Sequence, residues 1–228
     1  NMAQVASIFS KLGYAEDFIA AMEKTITLDP QHLDALKTLV GFHLFAPGIA
    51  GGDEKKALAY AKQIQAFDQE QGFSQLTQVY WQTDNKTLAQ QTFAEGVKQF
   101  PQSYPLYYNR AAAYIREESW SLARADLAKA IEFAQDDEQK AQALYQQGKA
   151  SAESGEEISM GISALEQAMP IADSNYKPWV MYRLAQLYTV NKELKRAKEL
   201  TAKININDDD ELKSKVKKLN RKLKKLMS

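Results

Sequence analysis

Two stretches of the chain repeat one pattern of large and small residues at an offset of 34 positions. The first is FSQLTQVYWQTDNKTLAQQTFAEGVKQFPQ, residues 73–102, and the second is YYNRAAAYIREESWSLARADLAKAIEFAQD, residues 107–136. The aligned pairs are Phe73 with Tyr107, Tyr80 with Tyr114, Ala89 with Ala123, Phe93 with Leu127 and Gly96 with Ala130. Self-similarity at a fixed period of this length indicates a stack of repeated supersecondary units.

The second half of each repeat carries a small, a large and a small residue at intervals of four and three. These intervals place all three on one face of a helix, where small residues let a neighbouring helix approach and the large one fills the gap. The same intervals recur in Phe18, Met22 and Thr25; Ala57, Ala61 and Ile64; Gly161, Leu165 and Ala168; and Ala197, Thr201 and Ile204. The sequence therefore predicts six units, although Phe18 replaces a small residue in the first.

Helix-forming residues dominate the chain, and no stretch alternates apolar and polar residues between turn clusters as strands do. Each unit is long enough for two helices and a turn. We therefore predict about thirteen helices, no sheet and an all-α fold.

This pattern resembles the tetratricopeptide repeat (TPR) family, whose unit is a helix, a turn and a second helix. The matching features are a small residue in the second helix of five units, closing prolines Pro30 and Pro101, and the late aromatics Phe9, Tyr80, Tyr114 and Tyr188. The resemblance implies a right-handed solenoid, an α-α superhelix of about six helix pairs. The predicted units are residues 1–32, 33–69, 70–103, 104–137, 138–174 and 175–207.

The last segment, DDDELKSKVKKLNRKLKKLMS at residues 208–228, differs in composition from the repeats. Its leading acidic residues favour a helix start, and its later lysines favour a helix end. A narrow apolar stripe steps by four and three through Leu212, Val216, Leu219, Leu223 and Leu226. Because a repeat stack needs a last helix to cover its open core, we predict a basic capping helix. The alternatives are docking on a second subunit or a partner, or contact with an anionic lipid or nucleic acid.

Basic and acidic residues balance at 29 each, so the net charge gives no reason to expect nucleic acid or an anionic membrane as partner. The charges are placed unevenly, since residues 192–228 carry a net +7 and the preceding residues a net −7. No aromatic residue lies among the basic residues of the last segment. We therefore expect no nucleic-acid partner.

The sequence leaves the cellular compartment open between cytoplasm and periplasm. No cysteine is present, which excludes disulfides, thiolate metal sites and cysteine nucleophiles. No apolar run approaches the roughly 18–20 residues of a transmembrane helix, and no leader is recognisable. Because Asn1 precedes Met2, we expect either an added residue or a fragment that lacks its leader.

The stretch HLFAPGIAGGDEKKAL, residues 43–58, has the glycine content of a phosphate-binding loop. It lacks the spacing of a P-loop, and Asp53 and Glu54 lie at the helix start where they would repel an anion. Pro47 ends one helix, the glycines permit positive φ angles, and Asp53 caps the next helix. We therefore predict an extended structural turn at residues 46–53. Its Pro-Gly-x-Ala-Gly-Gly pattern occurs in similar proteins of the repeat family, which implies a bacterial subfamily.

The sequence contains no recognisable catalytic or metal-binding constellation, so we predict no enzyme activity, no metal and no cofactor. His32 and His43 lie on one predicted helix about 16 Å apart, which is too far to share a metal. The alternating oxygen ligands Asn205, Asn207, Asp209 and Glu211 lack the glycine and final glutamate of a calcium loop. Helix capping explains these four residues better.

In repeats of this family, the first helix of each unit lines a concave groove. The residues on its free side are our candidates for partner binding: Gln75, Gln78, Trp81, Tyr108, Asn109, Arg116, Tyr145, Lys149, Tyr182, Arg183 and Gln186. Aromatic and amide side chains suit a peptide or a helical segment, although Trp81 and Tyr145 have packing between units as an alternative role. The arrangement with which some chaperone-binding members clamp a terminal carboxylate is not reproduced.

The resemblance thus implies a non-catalytic scaffold that binds a peptide or helical segment of a partner protein in its concave groove. The alternative is a homo-oligomeric structural subunit, such as a homodimer, that assembles through the basic terminal helix.

Overall fold

The computed structural model describes the backbone of residues 2–205 and 209–227, and their side chains except those of residues 2–12, 14 and 15. These residues form twelve α-helices, one 3-10 turn at Gly48–Ala50 and no strand, which confirms the all-α prediction. The helices are α1 (Met2–Leu28), α2 (Leu33–Phe45), α3 (Glu54–Phe67), α4 (Gln69–Gln82), α5 (Lys86–Gln99), α6 (Tyr104–Arg116), α7 (Trp120–Phe133), α8 (Asp137–Ser154), α9 (Ile158–Ile171), α10 (Lys177–Val190), α11 (Leu194–Thr201) and α12 (Asp210–Met227). Within the described residues, no helix has the length and apolarity needed to cross a bilayer.

The helices divide into two compact units, one that ends at Ala113 and one that begins at Tyr114 within α6. In the first unit, α2 to α5 pack in chain order, and α2 also contacts α4. In the second unit, α7 to α12 pack in chain order, and α10 contacts both α8 and α12. Contacts between helices two apart are typical of stacked helix pairs. The predicted helix-pair packing is therefore confirmed inside each unit.

Five of the six predicted sets of small and large residues face a core. All their members are buried: Ala57, Ala61 and Ile64; Ala89, Phe93 and Gly96; Ala123, Leu127 and Ala130; Gly161, Leu165 and Ala168; Ala197, Thr201 and Ile204. Burying apolar area stabilises the fold by about 25 cal/mol per Å². The spacing of four and three thus locates the buried face of each second helix.

Helices α8, α9 and α10 approach closely at two glycines. A Cβ atom at Gly148 of α8 would overlap the fully buried Leu165 side chain of α9. A Cβ atom at Gly161 of α9 would overlap Ser151 of α8 and meet Leu187 of α10 at 2.9 Å. The absence of a side chain at these two positions therefore permits the observed packing of three helices.

The turns inside three of the helix pairs close in the same way. A backbone amide donates to a tyrosine carbonyl five residues earlier, in the pairs Asn85 to Tyr80 (2.8 Å), Ser119 to Tyr114 (2.9 Å) and Glu193 to Tyr188 (2.8 Å). The residue before each amide is left-handed: Asp84 (φ 60°), Glu118 (φ 56°) and Lys192 (φ 63°). This combination is a Schellman C-cap. The aromatic residues that recur late in the first helix thus occupy one position of a repeated helix end.

The first predicted unit, residues 1–32, differs from the other units. Helix α1 runs from Met2 to Leu28 without a turn, so the described residues hold twelve α-helices where thirteen were predicted. Neither proline nor a capping residue follows Gly13 directly, and one glycine costs a helix only about 1 kcal/mol. The prediction that Phe18 faces inwards was wrong, because Phe18 is 51% exposed and the neighbouring Ile19 is buried instead. Phe9 lies outside the described side chains.

Helix α12 packs against α10 and α11 and covers the end of the second core. Its buried face consists of Leu212, Val216, Leu219 and Leu223. The predicted stripe ends one turn early, since Leu226 is 51% exposed. Because four of the five predicted apolar residues pack against the core, this helix caps the second unit.

Polar side chains fix the start and the middle of α12. The Asp209 carboxylate accepts hydrogen bonds from the Leu212 amide at 2.8 Å and from the Trp179 indole N–H of α10 at 2.9 Å. The Thr201 hydroxyl donates to Asn220 Oδ1 at 2.7 Å, which joins α11 to α12. Asp209 thus confirms the capping interpretation of this acidic stretch. Asn207 and Asp208 lie outside the described residues.

Truncation of Leu223 to Ala should lower the free energy of unfolding by about 2–5 kcal/mol, because it leaves a cavity beneath α12. Leu223 is 2% exposed, whereas Leu226, one turn later in the same helix, is the matched exposed position. Leu226→Ala should change stability by less than about 0.5 kcal/mol. Urea denaturation measures both variants, and equal losses would contradict the assignment of α12 as a cap.

Candidate functional site

The glycine-rich turn between α2 and α3 is held together by its own backbone. Helix α2 ends at Phe45, and the 3-10 turn Gly48–Ala50 follows Pro47. Gly51 is left-handed at φ 91°, and the Asp53 amide donates to the His43 carbonyl at 3.0 Å. The predictions that Pro47 ends a helix and that glycine supplies a positive φ are therefore confirmed.

The side chain of His43 fastens this turn to α2. His43 is buried, and its Nδ1 lies 3.0 Å from the Gly51 carbonyl oxygen. Because a carbonyl can only accept, Nδ1 carries the proton and donates. The ring also stacks on Tyr60, with centroids 5.8 Å apart. His43 is thus a packed residue of the first unit. His32 caps α2 by accepting from the Ala35 amide at 3.3 Å, in line with its predicted place near a helix start.

The start of α3 already holds a carboxylate. Asp53 Oδ1 accepts hydrogen bonds from the amides of Lys55 at 2.9 Å and Lys56 at 3.2 Å. The Lys56 amide is the main cause that holds the pKa of Asp53 below its ordinary value. Aspartate therefore occupies the position in which a phosphate would bind at a helix start. This geometry favours the structural interpretation of the turn.

In the first unit, one predicted groove residue, Asn109, connects two helices. Gln75 and Trp81 are buried, and Gln78 is half-buried. The Asn109 amide donates to the Ser74 hydroxyl at 2.7 Å, and that hydroxyl donates to the Pro105 carbonyl at 2.8 Å. These bonds join α4 to α6. The half-buried Tyr108 stacks on Tyr104, with centroids 5.2 Å apart.

In the second unit, three predicted groove residues are buried: Tyr145, Tyr182 and Arg183. Arg183 of α10 donates to Glu153 of α8 at 2.8 Å and to Gln186 at 3.1 Å, so its guanidinium bridges the two helices. Lys149 and Gln186 are half-buried, and Arg116 is exposed. Of the three predicted residues on α10, Gln186 is therefore the most exposed.

A cleft of about 320 Å³ opens in the second unit between α8, α10 and α12. Tyr182 and Gln186 line it from α10, and Ala152 lines it from α8. The opposite wall belongs to α12, which contributes Lys215, Lys218 and Lys222. Two residues selected from the sequence thus meet three lysines in one concavity.

The cleft has a neutral part, which includes Tyr182, and a cationic wall formed by the three lysines of α12. Burial raises the pKa of the Tyr182 hydroxyl, and the positive charge of Arg183 partly opposes this rise. The hydroxyl therefore stays protonated at neutral pH. Lys215 pairs with Glu211 at 3.3 Å and lies 6.0 Å from the centre of the Trp179 ring. The three lysine side chains make this wall positively charged.

Sequence reasoning assigned the three lysines to the basic side of a cap and missed their place in the cleft. A signal was present, because Lys215, Lys218 and Lys222 are spaced by three and four and share one side of a helix. The spacing does not show which helix lies opposite these lysines. That helix is α10, and the packing of α12 in the fold places it there.

No group of three or more His, Asp or Glu residues among the described residues is placed to hold a metal ion. The glycine-rich turn, the helix-joining amides and the cleft provide hydrogen bonds, apolar contact and positive charge. This arrangement can bind a segment of another molecule.

No protein-family model matches the sequence, and no curated protein matches it. Solved structures match the fold. Yeast Tom70 is similar with a TM-score of 0.70 at 12% identity, over 91% of this chain and 44% of that chain. The Cut9–Hcn1 hetero-tetramer of the APC/C is similar with a TM-score of 0.60 at 17% identity, over 91% of this chain and 40% of that chain.

A thermophilic TPR protein of Thermus thermophilus has a TM-score of 0.56 at 17% identity, over 82% of this chain and 99% of its own. The chain spans less than half the length of Tom70. At these identities the similarity concerns the fold, which is TPR-like, as the repeat pattern predicted.

Gly52→Ala should destabilise the first unit by about 1–3 kcal/mol, because a Cβ atom there would overlap the Ala46 carbonyl. Gly48 in the same turn has no positive φ, and a Cβ atom added to it would meet no other atom within 4 Å, so Gly48→Ala is the matched control. The control should change stability by less than about 0.5 kcal/mol. Urea denaturation measures the free energy of unfolding of the two variants, and amide exchange at Asp53 measures the opening of the turn. Equal stability of the two variants would contradict the close packing of Gly52 against the Ala46 carbonyl.

Proposed function

We propose that this protein is a non-catalytic interaction scaffold that binds a polypeptide segment of a partner protein along the first helices of its pairs. The observation that carries the proposal is the cleft of the second unit, where Tyr182 and Gln186 meet α12. Of the other groove candidates in this unit, Arg183 joins α10 to Glu153 of α8, Tyr145 is buried, Lys149 is half-buried and Arg116 is exposed. The first unit separately contributes three half-buried candidates, Gln78, Tyr108 and Asn109.

The chemistry of the cleft supports a polypeptide as ligand. Its volume of about 320 Å³ accommodates a few side chains, and its open side lets the rest of a chain continue outside. The Tyr182 ring provides contact area at low entropic cost. The Gln186 side-chain amide has a donor and an acceptor, which suit the backbone of a peptide. A TPR-like fold adds support by analogy, and the Cut9 chain of similar fold was solved in a complex with another protein, Hcn1.

Self-assembly through α12 is the second candidate function. The basic helix leaves Leu226 and Met227 exposed at its end, which is the observation in its favour. Stable interfaces bury roughly 1,200–2,000 Å² in total, and two side chains supply a small part of this area. The remaining apolar residues of α12 already pack inside the second unit. We therefore place polypeptide binding first.

Filling the cleft should abolish polypeptide binding without unfolding the protein. Ala152 lines the cleft and is half-buried, so Ala152→Trp places a large ring in the open volume. Peptides enriched from a random displayed library against the wild-type protein should lose binding to this variant, as measured by fluorescence anisotropy. Its denaturation midpoint should stay at the wild-type value.

The matched control is Ala94→Trp, the same change at an exposed helical alanine of the first unit. It should keep full binding of the enriched peptides. Failure to enrich any peptide, or equal binding by Ala152→Trp, would refute the proposed function. Light scattering of the wild-type protein tests the second candidate, because a mass above that of one chain would favour self-assembly.

A further inference from the structure

We propose that the cleft between α10 and α12 recognises an acidic polypeptide segment, whose carboxylates pair with Lys218 and Lys222 while an apolar side chain enters beside Tyr182. This inference rests on the proposed function and specifies the chemistry of its ligand.

Two of the three lysines in the cationic wall have no counterion in the part of the chain that the structure describes. Among the described residues, neither Lys218 nor Lys222 has an ion-pair partner, and Lys215 has only Glu211 at the helix start. None of the described residues that line the cleft is Asp or Glu. A segment with carboxylates would supply the missing charges.

The cleft offers apolar surface as well as positive charge to a ligand. Leu219 and Val190 line it together with Tyr182, so apolar surface lies beside the lysines. Val190 is 51% exposed at the end of α10, and covering it would remove apolar area from water. A ligand that alternates acidic and apolar side chains satisfies both parts of the surface. A bare anion satisfies only the lysines.

The charge distribution of the chain favours the same ligand. Helix α12 contains eight basic and two acidic residues, and residues 192–228 carry a net +7. A local field of this sign raises the association rate of anionic ligands and is screened by salt. The rest of the chain, at a net −7, would repel an acidic segment elsewhere. The field therefore directs such a segment towards α12.

Two other anionic partners fit the cleft less well. Single-stranded nucleic acid binds by stacking its bases on exposed aromatic faces, and Tyr182 is only 6% exposed. A membrane-binding helix needs a free apolar face to insert between lipids, and the apolar face of α12 is buried in the second core. An acidic polypeptide needs neither feature.

The test uses the full chain and two labelled peptides, one that alternates Glu and Leu and one in which Lys replaces each Glu. Fluorescence anisotropy should detect binding of the acidic peptide alone. Lys218→Glu combined with Lys222→Glu should weaken this binding about tenfold, because two attractions become repulsions. Raising the salt concentration to about 0.5 M should weaken binding to the wild-type protein as well.

The matched control is Lys213→Glu combined with Lys217→Glu. These two lysines have the same spacing on the same helix, but they lie outside the cleft. The control should retain binding within about twofold. An equal loss in both double variants would overturn the inference, because it would mean that the net charge of α12 acts without the cleft.

The remaining outcomes separate this inference from the proposed function. If the library yields neutral or basic peptides that Ala152→Trp no longer binds, the scaffold function stands and the acidic ligand is refuted. Vesicles of phosphatidylserine and phosphatidylcholine and an oligothymidine strand serve as competing probes. Tighter binding of either probe, with loss in the Lys218 and Lys222 variant, would also overturn the inference.

Discussion

Close approach of neighbouring helices at small residues sets the geometry on which the other features depend. Gly148 admits Leu165, and Gly161 lies against Ser151, so α8, α9 and α10 pack with no room for an added Cβ atom. Each pair buries its apolar face only against its neighbours, as repeat stacks do. The last pair consequently has an open face, and α12 covers it.

Local periodicity was sufficient to predict most of the fold. The buried sets around Ala61, Phe93, Leu127 and Leu165 follow from spacing alone, because the helical period fixes which residues share a face. The first predicted repeat, residues 1–32, could not be predicted in this way. A helix pair requires a chain reversal, and the sequence near Gly13 contains no residue that forces one, so propensity favoured a continuous α1.

The candidate site was predictable only in part. The period identified Tyr182 and Gln186 on the exposed side of α10, but it did not reveal how far each side chain is buried by the next helix. Arg183 illustrates the difficulty, since its guanidinium is held by Glu153 thirty residues earlier. The cleft itself depends on α12 folding back onto α10, a contact between segments that sequence spacing does not relate.

Helix α12 has two roles. Leu212 and Val216 pack in the core, Leu219 contacts both the core and the cleft, and the lysines of the opposite side form the wall of the cleft. A ligand that contacts α10 and α12 together binds only while α12 is docked. By linkage, it must then stabilise that docking as it binds. The cap and the proposed binding surface are therefore thermodynamically coupled, and Leu219 belongs to both.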